Sequence, residues 1–535
     1  MSVRGALLVA LSFLRRALDR SREAVDPIPS LPTVLVLLVS VGLLAAAPAL
    51  QAIPGWATPA GFAIAGSPPP PEPVDGLDMR LAYRSDPGAA VGARWAEIPG
   101  NPAFNGELRR AVKEAIDAQG TATGIPFAPA ADAPAGHLST QTCAPEATTR
   151  PAVELLRDPG LSPQTGGPTV TVVCEIVAAS GSVLGEALRI VTASGGQVLA
   201  DTTTVYFADS STGFLGGSDG LLTDDGVRML FTGLLKAVQA PEAPDAPAAL
   251  PLPQLRAWLA NLTFAHDGSL VLRLPRGFAT TELPGLAAAA EPAPLVVTVG
   301  ALHARDLLTD LGKRVQAALG SSDRLVLPGA HPSGHEEMDC TLVACVALTF
   351  DDGPGPHTAA VLDALAARRA PATFFLQGFH AERYPDLVRR MHAEGHQIGN
   401  HTWNHADLTT LPGAAVAEQI QRTNDVIGAI IGAPPTTFRP PYGAFNDDVL
   451  GHAAMPAILW SLDTKDWRKP GDAAVLERTV AGSQPGDIVL LHDVHESTAR
   501  VTPQIIEGLI QRGFTLVTVE QLLGGTPEPG TATRR

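Results

Sequence analysis

The sequence has 535 residues, which is too long for one ordinary core and predicts two folded domains together with a leader and a linker. It contains 38 Lys and Arg residues against 54 Asp and Glu residues, so its formal charge is −16 at pH 7. This acidic excess opposes binding to a phosphate backbone or an anionic membrane surface and argues against a nucleic-acid partner.

The first fifty residues carry a targeting signal. Residues 31–50 are almost wholly apolar, and a run of about 20 such residues is long enough to cross a bilayer as one helix. Arginines precede this run, and no Lys or Arg follows it before Arg80. The positive-inside rule then predicts that residues 1–30 are cytoplasmic and that the rest of a single-pass membrane protein lies outside. The small residues at 45–49 leave open a cleaved signal segment and a secreted protein.

The region after the apolar run changes in composition twice. Residues 51–75 are predicted to form a Pro-rich linker, because "GSPPPPEP" at 66–73 favours an extended, semi-rigid chain. Residues 107–118 and 226–238 then have helical spacing, whereas "TVTVVCEIVAA" and "QVLADTTTVYF" are typical of strands. We therefore expect a smaller, extracytoplasmic α+β domain over residues 76–330.

The cysteines agree with an exported chain. There are four, Cys143 and Cys174 in the middle region and Cys340 and Cys345 nearer the C-terminus. An even number that divides into local pairs predicts two disulfides in an oxidising compartment. The alternative is four unpaired cysteines, and the spacings are not those of a zinc ribbon.

The C-terminal third alternates short apolar runs with helical patterns. Strand-like runs occur at 345–350, 372–378, 396–401, 436–443, 457–463, 487–493 and 515–519. This alternation predicts a parallel β/α sheet, closed or nearly closed into a barrel, over residues 338–525. Residues 526–535 are predicted to be a disordered tail. Polar residues occur at or just after the ends of the runs, where such barrels carry their chemistry: Asp351, Asp352, His401, Arg439, Asp463 and His492.

Two adjacent carboxylates end the first of these runs. The turn that follows Asp351 and Asp352 allows both to face one pocket, where their repulsion requires a cation. In "HTWNH", His401 and His405 have the i, i+4 spacing that would place them on one face of a helical turn. With Asp352 they predict a site of two histidines and one carboxylate with open positions. Such a histidine pair by itself is more often a solvated helix face.

The order of these pieces resembles the polysaccharide deacetylase family, carbohydrate esterase family 4, which removes N- or O-acetyl groups from sugars. The motifs are "TFDDGP" at 349–354, "HTWNH" at 401–405, "RPPYG" at 439–443, "DTKDW" at 463–467 and "LLH" at 490–492. The resemblance implies a distorted (β/α) barrel of seven or eight strands. It also implies a divalent metal, Zn²⁺ in most members and Co²⁺ in some.

The resemblance also implies roles for the residues around the metal. Asp352, His401 and His405 would be the metal ligands. Asp351 would be the general base, and Arg439 would keep it ionised and oriented.

Further roles concern the substrate. The backbone N–H of Tyr442 would stabilise the oxyanion, and His492 would protonate the leaving amine with Asp466 as its carboxylate partner. The residues expected to line the substrate groove are Trp467, Leu490 and Pro440. Asp463 is a possible turn residue, and His357 and His495 are expected to face solvent.

The substrate is less well specified than the reaction. The export signal and "LLHDVHEST" at 490–498 resemble the bacterial peptidoglycan N-acetylglucosamine deacetylases, which favours glycan strands of peptidoglycan. Chitin oligomers and acetylxylan are alternatives, and no obligate protein partner is evident. A different class is an inactive wall-binding or lysozyme-sensing protein, but such a protein would be expected to lack a ligand or the base, and this sequence keeps them.

Overall fold

The computed structural model of the protein describes residues 61–65, 71–131, 143–210, 212–238, 250–276, 294–320, 323–327 and 333–534. All of them belong to one compact unit, Ala57–Arg535. The apolar run at 31–50 lies outside these residues. Within the described part of the chain, no helix combines the length and the apolar character needed to span a bilayer.

A six-stranded sheet forms the first part of the N-terminal region. Its strands, in spatial and chain order, are β2 (Asp78–Arg84), β3 (Ala90–Glu97), β4 (Thr169–Ser180), β5 (Val183–Ser194), β6 (Gln197–Asp209) and β7 (Gly213–Gly217). Only β3 and β4 are parallel. The helices α1 (Pro102–Thr123) and α2 (Ala152–Arg157) interrupt the strands. The Asn101 side chain caps α1, whose apolar face is buried, and the left-handed Gly124 ends it.

A second, four-stranded antiparallel sheet completes this region. It has the order β1 (Phe62–Ala65), β10 (Leu295–Val299), β9 (Leu270–Leu274) and β8 (Leu262–Phe264). Its helices are α3 (Asp224–Val238), α4 (Leu252–Trp258), α5 (Ala301–Leu307) and α6 (Asp310–Leu319). The predicted linker at 51–75 is wrong for 62–65, because this apolar segment hydrogen-bonds to β10. With ten strands among its described residues, the region is also not smaller than the barrel.

The C-terminal region confirms the predicted barrel. Its strands are β11 (Cys345–Asp351), β12 (Thr373–Leu376), β13 (Gln397–Asn400), β14 (Ala457–Ile458), β15 (Leu462–Asp463), β16 (Ile488–His492) and β17 (Thr515–Leu516). Parallel pairing runs in the order β13, β12, β11, β16, β15. Phe438 pairs with Asn400 on one side and Ala457 on the other, which links β13 to β14. The predicted strand at 436–443 shrinks to this bridge, because Pro440 and Pro441 have no N–H to donate.

Helices cover the outside of the barrel. They are α7 (Thr358–Ala366), α8 (Gly378–Arg383), α9 (Pro385–Ala393), α10 (Gly413–Ile431), α11 (Asp447–Ala453), α12 (Asp472–Gly482), α13 (Glu496–Gln511) and α14 (Val519–Leu523). Apolar side chains from α7, α9 and α13 form one buried cluster with β11, β12 and β16. This packing holds the strands in the register that aligns their carboxyl ends.

The end of the chain differs from the prediction of a disordered tail. A short strand, β18 (Ala532–Thr533), pairs in parallel with β14. The N–H groups of Ala457 and Leu459 donate to the carbonyls of Thr531 and Thr533 at 2.8 and 2.9 Å. The prediction is therefore wrong for 526–534, because these backbone donors at the edge of β14 find their partners in the last residues of the chain.

The N-terminal region and the barrel share a hydrophobic core. Phe104 and Trp95 of the six-stranded sheet and its helix belong to the same buried cluster as Phe375 and Ile488 of the barrel. Arg369 crosses the same boundary and donates to the carbonyl of Gly76 at 2.6 Å. The barrel therefore depends on residues before 330 for part of its apolar burial.

Both predicted disulfides are present. Cys143 bonds to Cys174 of β4, 31 positions further along the chain, and Cys340 bonds to Cys345 at the start of β11, five positions further along. The first bond ties the segment at 143–150 to the six-stranded sheet, whereas the second closes only a short loop. The two should therefore contribute unequally to stability.

We expect the Cys143→Ala, Cys174→Ala pair of substitutions to lower the free energy of unfolding by roughly 3–4 kcal/mol, against about 2 kcal/mol for Cys340→Ala with Cys345→Ala. The difference arises because the longer loop restricts the unfolded chain more. Chemical denaturation of both double variants measures it. Equal losses, or alkylation of all four thiols in native protein, would contradict the assignment.

Candidate active site and metal centre

The polar residues predicted from the strand ends gather at one end of the barrel. Asp351 is the last residue of β11 and His492 the last of β16, and these two residues are directly paired in register. Asp352 follows β11, and His401 follows β13. Because the strands are parallel, their carboxyl ends lie at the same edge, and the side chains there share one site.

Asp352, His401 and His405 form a group whose ligand atoms all lie within 4.8 Å of one another. Asp352 Oδ1 is 3.6 Å from Nε2 of His401 and 3.5 Å from Nε2 of His405. A tetrahedral metal with bonds of 2.0–2.1 Å would separate its ligand atoms by roughly 3.4 Å, so these positions fit a metal ion. His401 Nδ1 bonds to the carbonyl of Arg439 at 2.7 Å, which directs Nε2 toward the site.

The two histidines are brought together by a turn and not by the predicted helical turn. Thr402 and His405 both have left-handed backbones, with φ of 66° and 62°. Side chains replace the helical hydrogen bonds: Asn400 accepts from the N–H of Thr402 at 2.7 Å, and Thr402 Oγ1 accepts from the N–H of His405 at 3.1 Å. The rings then lie with their centroids 5.0 Å apart. Burial lowers the pKa of His405, which favours the neutral imidazole that binds metals.

Asp351 and Arg439 form a buried ion pair beside this group. Arg439 Nη1 donates to Asp351 Oδ1 at 2.8 Å and to Thr349 Oγ1 at 2.7 Å. The other oxygen of Asp351 lies 3.8 Å from His401 Nε2, so it faces the metal-binding group. The arrangement leaves one carboxylate oxygen held by the guanidinium and the other directed toward the site.

His492 and Asp466 form a second pair at the same edge. His492 Nδ1 bonds to Asp466 Oδ1 at 2.8 Å, and Asp466 Oδ2 accepts from the N–H of His492 and from Thr498 Oγ1, both at 2.8 Å. Burial opposes the charge on His492, but the bond to the Asp466 carboxylate outweighs it and raises the pKa of His492 to about 9. The imidazole is therefore cationic at neutral pH.

The remaining predicted residues surround these two pairs. Tyr442 has a left-handed backbone with φ of 64°, and its largely exposed ring lies 4.5 Å from that of His405. Trp467 is 46% exposed, whereas Leu490 and Pro440 are buried. Asp463 does not bond to His492, because its Oδ1 accepts from the N–H of Lys465 at 2.8 Å in a turn.

Several contributors were missed from the sequence. Gln377 Nε2 donates to Asp352 Oδ1 at 2.7 Å, and His380 Nδ1 bonds to the carbonyl of Asp352 at 2.7 Å. Gln377 directly follows β12, so the strand-end argument applied to every strand would have included it. His495 was expected to face solvent, but it is half-buried with its ring centroid 5.6 Å from that of His492.

A buried carboxyl also supports the turn after the two aspartates. The Thr358 hydroxyl donates to Asp493 and accepts from the N–H of Gly355 at 2.8 Å. A Cβ at Gly353 would lie 2.4 Å from the Asp493 oxygens, so this close approach requires glycine. Burial raises the pKa of Asp493 to about 7.

Comparison with known proteins locates the similarity in the barrel. The family model described as polysaccharide deacetylase matches residues 339–455. Chitooligosaccharide deacetylase of Rhizobium leguminosarum bv. trifolii is 40% identical over 192 residues, which cover 32% of this chain and 89% of that protein.

Two longer relatives are similar over a comparable number of residues. Peptidoglycan-N-acetylglucosamine deacetylase PgdA of Listeria monocytogenes is 41% identical over 180 residues, covering 34% of this chain and 39% of that protein. Peptidoglycan-N-acetylmuramic acid deacetylase PdaC of Bacillus subtilis is 39% identical over 178 residues, which cover 33% of this chain and 38% of that protein. The chain therefore spans about two-fifths of the length of these two relatives.

The contact of Gln377 with Asp352 predicts a role in metal affinity. We expect Gln377→Met to raise the dissociation constant for Zn²⁺ or Co²⁺ by about 10–100-fold, because the ligand oxygen loses the hydrogen bond that orients it. Titration of the apo-protein against a competing chelator measures the constant. Gln421→Met is the matched control, because Gln421 bonds to Asp425 on the exposed face of α10. Wild-type affinity in the Gln377 variant would contradict the role.

Proposed function

Because this chain belongs to the polysaccharide deacetylase family, we propose that it is a metal-dependent hydrolase that removes N-acetyl groups from the N-acetylglucosamine of peptidoglycan. One observation carries the proposal. The two-histidine, one-carboxylate group lies beside an Asp351 that Arg439 holds and at the same barrel edge as a cationic His492. These are the groups that amide hydrolysis needs at a single site.

Asp352, His401 and His405 would hold the metal, for which we propose Zn²⁺, with Co²⁺ as the alternative. Such an ion supplies Lewis acidity that polarises the acetyl carbonyl and makes water a better nucleophile. His401 contributes Nε2, because its Nδ1 is engaged by the carbonyl of Arg439. Asp352 Oδ1 lies 3.6 Å from Nε2 of His401 and 3.5 Å from Nε2 of His405, so this oxygen is the one that would bind.

Asp351 would act as the general base. As water attacks the acetyl carbon, the oxygen of Asp351 that faces the site accepts the proton of the water. Arg439 holds the other oxygen, so the carboxylate stays oriented through the transfer. The N–H of Tyr442 would donate to the oxyanion that develops on the acetyl oxygen.

His492 would act as the general acid. The bond between carbon and nitrogen breaks as the nitrogen takes a proton from His492, giving acetate and the free amine of the sugar. Asp466 favours the charged imidazole that this step requires. Trp467, Leu490 and Pro440 would line the groove that holds the sugar and its acetyl group.

Both peptidoglycan and chitin oligomers have support as substrates. The names of PgdA and PdaC favour peptidoglycan, whereas the name of the rhizobial relative favours chitooligosaccharides, our second candidate. The two disulfides and the apolar run at 31–50 support an extracytoplasmic catalytic region on a single-pass membrane protein. An inactive wall-binding protein would not need to keep the base, the acid and three ligands together.

Metal removal tests the proposal directly. The full-length protein should release acetate from peptidoglycan glycan strands, lose this activity in chelator and recover it with Zn²⁺ or Co²⁺. His401→Ala should abolish recovery at stoichiometric metal, because one ligand is absent. Full activity after verified metal removal would refute the mechanism, and no acetate from any acetylated glycan would favour the non-catalytic class.

The pH dependence tests the pairing of His492 with Asp466. Activity should fall as pH rises through about 9, where His492 loses its proton. Asp466→Asn removes the carboxylate that raises this pKa while burial still lowers it, so the alkaline limb of the pH–rate profile should move to lower pH. His492→Ala should lower turnover on the order of 10²–10⁴-fold.

Asp463→Asn is the matched control for the pairing, because Asp463 lies three residues before Asp466 and accepts from the N–H of Lys465 instead. This variant should keep the wild-type alkaline limb. If the alkaline limb of the pH–rate profile moved in Asp463→Asn but not in Asp466→Asn, Asp463 and not Asp466 would be the partner of His492.

A further inference from the structure

The loop that carries Asp466 is unusually basic for this chain. Three of the five residues at 465–469 are cationic: Lys465, Arg468 and Lys469. The whole sequence contains only five lysines, and two of them are in this loop, although the chain has a formal charge of −16. Clustered positive charge in an otherwise acidic protein creates a local positive potential, which attracts anions.

This basic loop, residues 465–469, adjoins the proposed acid and the substrate groove. Asp466 and Trp467 lie between its cations, and Asp466 bonds to His492. The cations therefore border the place where the sugar nitrogen would meet His492.

The three cations are exposed, and a hydrogen bond within the loop fixes the backbone that carries them. Neither Lys465, Arg468 nor Lys469 forms an ion pair with any residue in the described part of the chain, and all three are exposed. Lys465 and Lys469 have left-handed backbones with φ of 57° and 52°, a conformation that non-glycine residues rarely adopt. The N–H of Lys469 donates to the carbonyl of Asp466 at 2.8 Å, which closes the loop.

We propose that the basic loop binds carboxylates carried by the glycan next to the sugar that is deacetylated, so that this enzyme prefers a carboxylate-bearing glycan over a neutral one. The inference rests on the proposed function and narrows its substrate. A chain with 16 excess negative charges repels an anionic polymer unless cations lie where the polymer docks. In peptidoglycan the carboxylate is either that of a lactyl ether or that of an attached peptide.

The test compares three acetylated substrates with a pair of charge variants. The substrates are neutral chitotetraose, peptide-free glycan strands with lactyl carboxylates, and strands that keep their peptides. The loop variant, Lys465→Gln with Lys469→Gln, removes two positive charges. Arg468 is kept because its guanidinium carbon lies 4.5 Å from the centroid of the Trp467 ring, so replacing it would also alter the proposed substrate groove. Lys113→Gln with Lys313→Gln is the control, since it makes the same charge change in the N-terminal region.

We expect the loop variant to lose about three- to tenfold in kcat/KM on carboxylate-bearing strands at low salt, the usual worth of two exposed ion pairs. Its kcat/KM on chitotetraose should change less than twofold, and the control variant should keep the wild-type kcat/KM on all three substrates. The loss should largely disappear in about 1 M salt, where charges are screened beyond roughly 3 Å. A loss on peptide-free strands assigns the lactyl carboxylate, and a loss confined to peptide-bearing strands assigns the peptide.

An equal loss on all three substrates, or none on either carboxylate-bearing one, would overturn the inference. Acetate release from chitotetraose reports separately on the proposed function. Co-sedimentation of the full-length variants with insoluble peptidoglycan gives a readout that does not require catalysis. There the loop variant should bind more weakly than the control at low salt, and equal binding would count against the basic loop.

Discussion

The guanidinium of Arg439 is fully buried, and the geometry of the site depends on how its charge is satisfied. It donates to Asp351, to Thr349 and to the carbonyls of Ile458 and Leu459, which joins β11 to β14. A buried cation is tolerated only when its donors are paired in this way. The carbonyl of the same residue orients the ring of His401, so one residue positions both the proposed base and a proposed ligand.

The second pair, His492 with Asp466, also contains a buried charge whose hydrogen bonds are satisfied, but here the fully buried group is an anion. Asp466 is buried, and its two oxygens accept four hydrogen bonds, two from His492, one from the N–H of Trp467 and one from Thr498. These bonds and the charge of His492 lower the pKa of Asp466 in spite of its burial. A fixed buried anion is what allows a largely buried imidazole to keep its proton at neutral pH.

The two hydrogen-bonded pairs of the site and the basic loop would act over different distances. Hydrogen bonds of less than 3 Å define the two catalytic pairs, whereas Lys465 and Lys469 would act on substrate through solvent-exposed charge. In the proposed mechanism, catalysis and substrate choice would therefore depend on separate interactions, of which only the second is screened by salt. The core shared with the N-terminal region stabilises β11 and β16, the strands that end at Asp351 and His492.

The sequence by itself determined the barrel and the set of residues at its strand ends, because apolar periodicity and motif spacing are properties of neighbouring residues. Its even, locally paired cysteines also predicted the two disulfides, which the structure contains. Only the tertiary structure decided which chain segments meet: β1 with β10, β18 with β14, and Gln377 with Asp352. It also replaced the expected helical turn between His401 and His405 with a left-handed one. The three pairings depend on hydrogen bonds between distant segments, which no local pattern encodes. The turn depends on bonds from the Asn400 and Thr402 side chains to the backbone, which the i, i+4 spacing of the histidines does not reveal.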